Sequence, residues 1–183
     1  MIQLTTSRLR IRDHRPDDLP AYHNLLSNPT VMFRHVGVSH DLEESKKRLY
    51  ESIEQIDCSQ REKYFFCIED ILTGDFIGEI GYSVTQFTPF GKCAGVGYFI
   101  NDRYWNNGYT TEALREVLRF AFEENDVYRF EAGCLKENIG SARVLQKCGF
   151  IQEAELKEYQ WHDGQLKDRL LFRLLRSEWI FMQ

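Results

Sequence analysis

The apolar positions of this chain change period several times, and those changes divide it into elements. Residues 7–13, SRLRIRD, set Leu9 and Ile11 among arginines with period two, which predicts a half-buried first strand. From Asp17 to about Ser27, Leu19, Tyr22, Leu25 and Leu26 follow an acidic start, with Pro20 in the first turn where a helix tolerates it. Asn28-Pro29 reads as the break after that helix, and a second helix is expected from about Asp41 to Asp57 on Leu42, Leu49, Ile53 and Ile56. The stretch between them, PTVMFRHVGVS, reads as a hydrophobic loop. KYFFCIED, DFIGEIGYSV and CAGVGYFIN, separated by turn residues, predict an antiparallel meander. From Asn107 to about Asn125 the set Ala113, Leu114, Val117, Leu118, Ala121 and Phe122 recurs at helical spacing. A strand YRFEAGCL and a helix SARVLQKC follow. Two long alternating runs joined by Asp163-Gly164, a dipeptide suited to the positive φ of a type I′ turn, predict a closing hairpin.

No repeat, linker or low-complexity tract interrupts these 183 residues, so one domain over 1–183 is expected. With 43% hydrophobic and 28% charged residues the chain can bury a core. A net charge of −5 and a pI near 5.6 speak against a polyanion as partner, because nucleic-acid binding needs a clustered basic face. No apolar run is long enough for a membrane span, and the opening residues lack a signal-peptide layout, so a cytoplasmic protein is expected. The five cysteines, Cys58, Cys67, Cys93, Cys134 and Cys148, are scattered and read as reduced thiols. The five histidines form no close cluster, so no metal is expected.

Chemistry concentrates in two places. In GYFINDRYWNNGYTTEAL a strand passes through a short polar turn straight into a strong helix, whose free amides and positive dipole end could hold a phosphate around Asn107, Gly108, Tyr109, Thr110 and Thr111. The same residues also fit a simple glycine-containing turn with Asn107 as N-cap. Neither a P-loop nor a dinucleotide fingerprint is present, since Gly95-Val96-Gly97 leads into a strand. In ENIGSARVLQKCGF, Asn138 can cap a helix that carries Ser141 in its first turn.

Taken together, these stretches resemble the GNAT superfamily of acetyl-CoA-dependent N-acetyltransferases, in particular the ribosomal-protein N-terminal (RimJ/RimL-like) branch. The likeness extends to TSRLRIRDHRPDDL, SNPTVM and the final LLRSEW. It implies a single α/β (α+β) domain with a curved, mostly antiparallel sheet of about seven strands and about four helices. It also implies acetyl-CoA as cosubstrate. In the family a Q/R-x-x-G-x-G/A turn binds the pyrophosphate of coenzyme A; here the turn is W-N-N-G-Y-T, keeping Gly108 but placing Trp105 and Thr110 at the ends. The resemblance puts the pantetheine arm along Tyr98, Phe99 and Ile100, and gives Asn138 a part in holding it.

The carry-over thins at the catalytic groups. Many members place a tyrosine acid seven residues after that asparagine, where this chain has Leu145, and the ribosomal branch often has a base where this chain has Gly95. Ser141, which the branch uses as proton donor or sulfur partner, and Glu79, which could reach the amine through water or contact substrate from the rim, remain as catalytic candidates. Phe33, His35 and Trp161 are implied to shape the acceptor groove, with His35 a weaker candidate base. Positioning and backbone donation to the oxyanion can carry most of such a reaction. An α-amine with a pKa near 8 needs less help than a lysine near 10.4, so a weak base favours a protein or peptide N-terminus or a similar small amine. The expected activity is acetyl transfer to a primary amine, by a monomer or homodimer. A non-catalytic acyl-CoA sensor or interaction module is the alternative.

Overall fold

Period-two burial builds one continuous sheet in the computed structural model, which describes residues 1–34 and 39–180. Its strands are β1 (Gln3–Thr5), β2 (Leu9–Asp13), β3 (Lys63–Asp70), β4 (Phe76–Thr88), β5 (Gly91–Ile100), β6 (Val127–Leu135), β7 (Ile151–His162) and β8 (Gln165–Leu175). They lie in the order β1-β2-β3-β4-β5-β6-β8-β7, and every neighbouring pair is antiparallel except β5 and β6. The helices are α1 (Leu19–Leu26), α2 (Pro29–Arg34), α3 (Leu42–Glu54), α4 (Tyr109–Glu123), α5 (Ile139–Lys147) and α6 (Arg176–Ile180).

The expected mostly antiparallel α/β domain is present, and the described residues form eight strands where about seven were expected and six α-helices where about four were. The added strand, β1, has three residues, too few to display an alternation; its pairing with β2 defines it. Helix α2 replaces the expected loop. Asn28 Oδ1 accepts from the N–H groups of Thr30 and Val31, and Pro29 opens the helix, a position where its missing N–H is harmless. The proline read as a break is a start. Val31 and Met32 are buried, which explains why that stretch is apolar.

Two apolar clusters hold the layers together. The larger joins Ile11, Phe66, Ile80, Tyr82, Phe130 and Phe172 of the sheet to Ala113, Leu114, Val117 and Ala121 of α4, each burial contributing roughly 1.5–3 kcal/mol for the large side chains. The smaller gathers Tyr22, Leu26, Met32 and Leu49 from α1, α2 and α3, with Phe99 packed against it. Buried beside it is a charged group, Arg12, Asp13, His14, Asp18, Arg61 and Glu79. At the end of the long hairpin Asp163 and Gly164 both have positive φ, 49° and 73°, as the turn chemistry requires.

Candidate active site

The parallel pair opens a gap. Strands β5 and β6 pair from Lys92↔Val127 to Gly95↔Glu131, then run on to Ile100 and Leu135 without further pairing to each other. Each strand then feeds a helix, β5 into α4 and β6 into α5, so two helix N-termini stand at the carboxyl end of the gap. Ligands of parallel sheets bind at such strand ends.

Gly108 is the N-cap of α4 with φ 79° and ψ 0°, preceded by Asn106 at φ 62°. Two left-handed residues in three turn the chain sharply enough for the helix to begin without a side-chain cap. The first helical bond is Glu112 N–H to Gly108 C=O, so the amides of Tyr109, Thr110 and Thr111 precede the ladder. The expected alternative of an Asn107 cap is not what forms: Asn107 Nδ2 donates back to the carbonyls of Tyr104 and Trp105. Trp105 donates its indole N–H to Ile100 C=O at 2.8 Å, which ties the turn to the end of β5 and occupies that carbonyl.

A cation that the sequence did not point to lies over this turn. Arg8 donates to Asn107 C=O at 3.1 Å, covers the Tyr109 ring at 4.5 Å, and pairs with Glu112 at 2.6 Å. Glu112 also accepts from Thr6 and from the Arg8 backbone, so it staples the β1–β2 turn to α4. Burial raises its pKa, and the bonds from Thr6 and Arg8 outweigh that and lower it. No sequence signal joins residues about a hundred positions apart.

Asn138 caps α5, its Oδ1 accepting from Ser141 N–H at 3.2 Å. The Ser141 hydroxyl lies 2.8 Å from the phenol oxygen of Tyr98, across the gap on β5. Leu145, one helical turn on, is buried in the core. A cavity of about 530 Å³ adjoins Asn138 and is lined also by Leu135, Glu137, Pro29, Thr30 and Phe33. Phe33, half exposed, meets His162 of the hairpin with the two rings tilted and their centroids 4.6 Å apart, and Trp161 beside it is 68% exposed. His35 lies outside the described residues.

Glu79 is fully buried, away from any rim. Its Oε1 accepts from Arg48 at 2.8 Å, and its Oε2 faces His14 Nε2 at 3.1 Å and accepts from the Tyr22 hydroxyl at 3.0 Å. Burial would raise its pKa, but the Arg48 charge and the His14 bond hold it at about 2. His14 is driven the other way: burial lowers its pKa, and Asp18 and Glu79 more than reverse this. Its second nitrogen meets Asp18 at 3.4 Å. Arg48 continues past Glu79 to cover the Phe99 ring at 4.9 Å, and so links α3 to both β4 and β5. Sequence reasoning found Glu79 but none of its three partners, which come from β2's end, α1 and α3. Among the described residues, Asp18, Cys67 and Glu69 stand close enough to share a cation, yet Arg12 already bonds both carboxylates.

A gap between parallel strands, flanked by two helix starts, sets free main-chain N–H groups at its mouth, an arrangement suited to an anionic ligand. The chain belongs to the GNAT acetyltransferase family, whose "Acetyltransferase (GNAT) domain" model matches residues 8–151. It is 27% identical over 179 residues to the uncharacterised N-acetyltransferase YnaD of Bacillus subtilis (strain 168), covering 97% of this chain and 99% of that one. Its fold is that of the ribosomal-protein-S5-alanine acetyltransferase of Vibrio fischeri, at TM-score 0.84 and 24% identity over 98% and 99% of the two chains. It is also that of a Vibrio cholerae spermidine N-acetyltransferase solved with CoA and spermine, at TM-score 0.82 and 20% identity over 96% and 99%. No helix among the described residues is long and apolar enough to cross a membrane.

Proposed function

We propose that this protein transfers the acetyl group of acetyl-CoA to a primary amine in a ternary complex, within the branch that modifies ribosomal-protein N-termini. The observation that carries the reading is the gap between β5 and β6 with Gly108 and Asn138 at its mouth. The likeness to the S5-alanine enzyme supports the branch, and the spermidine enzyme, solved with CoA, supports the cofactor and keeps small polyamines among the acceptors to be tested.

In this reading the last residues of β5, Tyr98, Phe99 and Ile100, which pair with β4 and lie beyond the pairing with β6, run beside the pantetheine arm. The amides from Asn107 to Thr111, with Arg8 above them, hold the diphosphate, where a left-handed glycine leaves the main chain open. Asn138 holds the arm from α5. Acetyl-CoA supplies the activated acyl group. Phe33 and Trp161 border the acceptor, with Phe33 lining the cavity that meets Asn138. Ser141 serves the departing sulfur. Glu79 acts at one remove, since a carboxylate buried on Arg48, His14 and Tyr22 is a poor proton acceptor and a good anchor for α1 and α3. Rate then comes from holding amine and thioester together.

The test is calorimetry with acetyl-CoA followed by a thiol-release screen over N-terminal peptides, polyamines and aminoglycosides. Saturable binding and release with at least one amine class is expected. Absence of acetyl-CoA binding at millimolar concentration would sink the proposal, and binding without release across the panel would favour an acyl-CoA sensor.

A further inference from the structure

We infer that Tyr98 is a positioning residue for this reaction: its phenol, delivered from β5, aims the Ser141 hydroxyl at the sulfur that leaves. The inference rests on the acetyl-transfer reading above and adds a residue to it. Where relatives would carry a tyrosine on the helix, this chain has Leu145, only 1% exposed and committed to the core. A phenol reaches α5 from the strand instead, one turn earlier, at Ser141.

Either hydroxyl could donate on distance alone, and their relative acidity assigns the direction of the bond. Tyr98 Oη lies 2.8 Å from Ser141 Oγ and 3.3 Å from Ser141 C=O. The carbonyl can only accept. Between the two hydroxyls the phenol is the more acidic and the serine oxygen the more basic, so the short bond runs from Tyr98 to Oγ. Ser141's own O–H is then left to point elsewhere. Its backbone is fixed as well, because Asn138 Oδ1 holds the Ser141 N–H. Ser141 is therefore held from two directions, by Tyr98 of β5 and by Asn138 at the start of its own helix.

The chemistry balances without a proton leaving Tyr98. The amine lone pair forms the C–N bond, the C–S bond breaks, and its electron pair goes to sulfur. The nitrogen sheds one proton and the sulfur takes up one, through water. Ser141 donates a hydrogen bond to the sulfur as its charge grows, and Tyr98 saturates the serine oxygen so that this O–H has no competing orientation toward the phenol. Burial raises the Tyr98 pKa, which suits a group that donates a hydrogen bond and keeps its proton.

The experiment uses the full chain with tyrosines 13C-labelled at the hydroxyl-bearing ring carbon, the Tyr98 signal being assigned by its loss in Tyr98→Phe. Calorimetry comes first, with CoA and with desulfo-CoA. If neither binds, the acetyl-transfer reading itself fails. If both bind, the Tyr98 signal is expected to move with CoA and to stay near its free position with desulfo-CoA; an identical response to the two overturns the inference and leaves acetyl transfer standing. In turnover with the best amine of the panel, Tyr98→Phe and Ser141→Ala should each lower kcat about tenfold, with acetyl-CoA affinity changed by less than about twofold. The double variant should be no slower than the worse single one. Full kcat in Tyr98→Phe, or losses that multiply in the double variant, also overturns it. The labelled wild type decides the question even if Tyr98→Phe melts early.

Discussion

Glutamine in place of Glu79 separates a proton acceptor from a buried anchor. The wild-type carboxylate has no exposed surface and receives three donors, Arg48 at 2.8 Å, Tyr22 at 3.0 Å and His14 at 3.1 Å. A glutamine offers one acceptor oxygen and turns an NH2 toward donors at the other position, leaving at least one of them unpaired. Breaking a buried ion pair by removing one partner destabilises by roughly 3–5 kcal/mol; the surviving amide oxygen and Arg48's partial access to water put Glu79→Gln near about 3 kcal/mol. For a domain of this size, about 2–4 °C per kcal/mol gives a loss of about 6–12 °C in Tm. The effect should vary with pH in a definite sense. His14, its pKa raised in the fold, contributes stability that is full below its unfolded value near 6.5 and is lost as pH rises through the folded value. Glu79, its pKa lowered to about 2, contributes above about 4.5 and loses its contribution as pH falls toward 2. The gap between wild type and Glu79→Gln should thus be widest from about pH 5 to 6.5 and narrow as pH rises through the folded pKa of His14. Thermal melts by circular dichroism across that range read it directly. A variant that melts within about 2 °C of wild type at pH 6 but has lost turnover would refute the anchor and restore Glu79 as the base.

Gly108→Val should raise the acetyl-CoA Kd about tenfold by calorimetry, because a branched residue at φ 79° is strained by about 1–3 kcal/mol and its side chain fills the turn; unchanged affinity would place the phosphates elsewhere. Glu112→Gln should lower stability by about 1–2 kcal/mol at pH 7 by releasing Arg8 and Thr6. Since the Glu112 pKa is lowered in the fold, that difference should shrink in denaturant titrations as pH falls below about 4.5, and a constant difference would contradict the staple. Trp161→Ala should raise the acceptor KM about fivefold and leave acetyl-CoA affinity unchanged, whereas a change in the latter alone would remove Trp161 from the acceptor groove.

Local pattern alone placed most of the elements. The spacing from Ala113 to Phe122 gave α4, the alternation around Asp163-Gly164 gave the hairpin, and three β-rich runs gave the meander, because each carries its period within a dozen residues. Gly108 and Asn138 were legible as turn and cap for the same reason: main-chain geometry at a helix start is dictated by the residues beside it. Helix α2 was misread because Pro29 is a breaker or a starter depending on the Asn28 bonds that follow.

What only the tertiary structure decided is everything that needs two distant segments at once. The parting of β5 from β6 after Gly95 and Glu131 is a property of the pair and has no mark in either strand. Arg8 over the α4 turn, Arg48, His14 and Tyr22 on Glu79, and the Tyr98 phenol on Ser141 join positions 31 to 99 residues apart. Glu79 was visible as a carboxylate in a strand, but its protonation state was not. A pKa is set by burial and by charges within a few ångströms, and those neighbours exist only once the chain has folded.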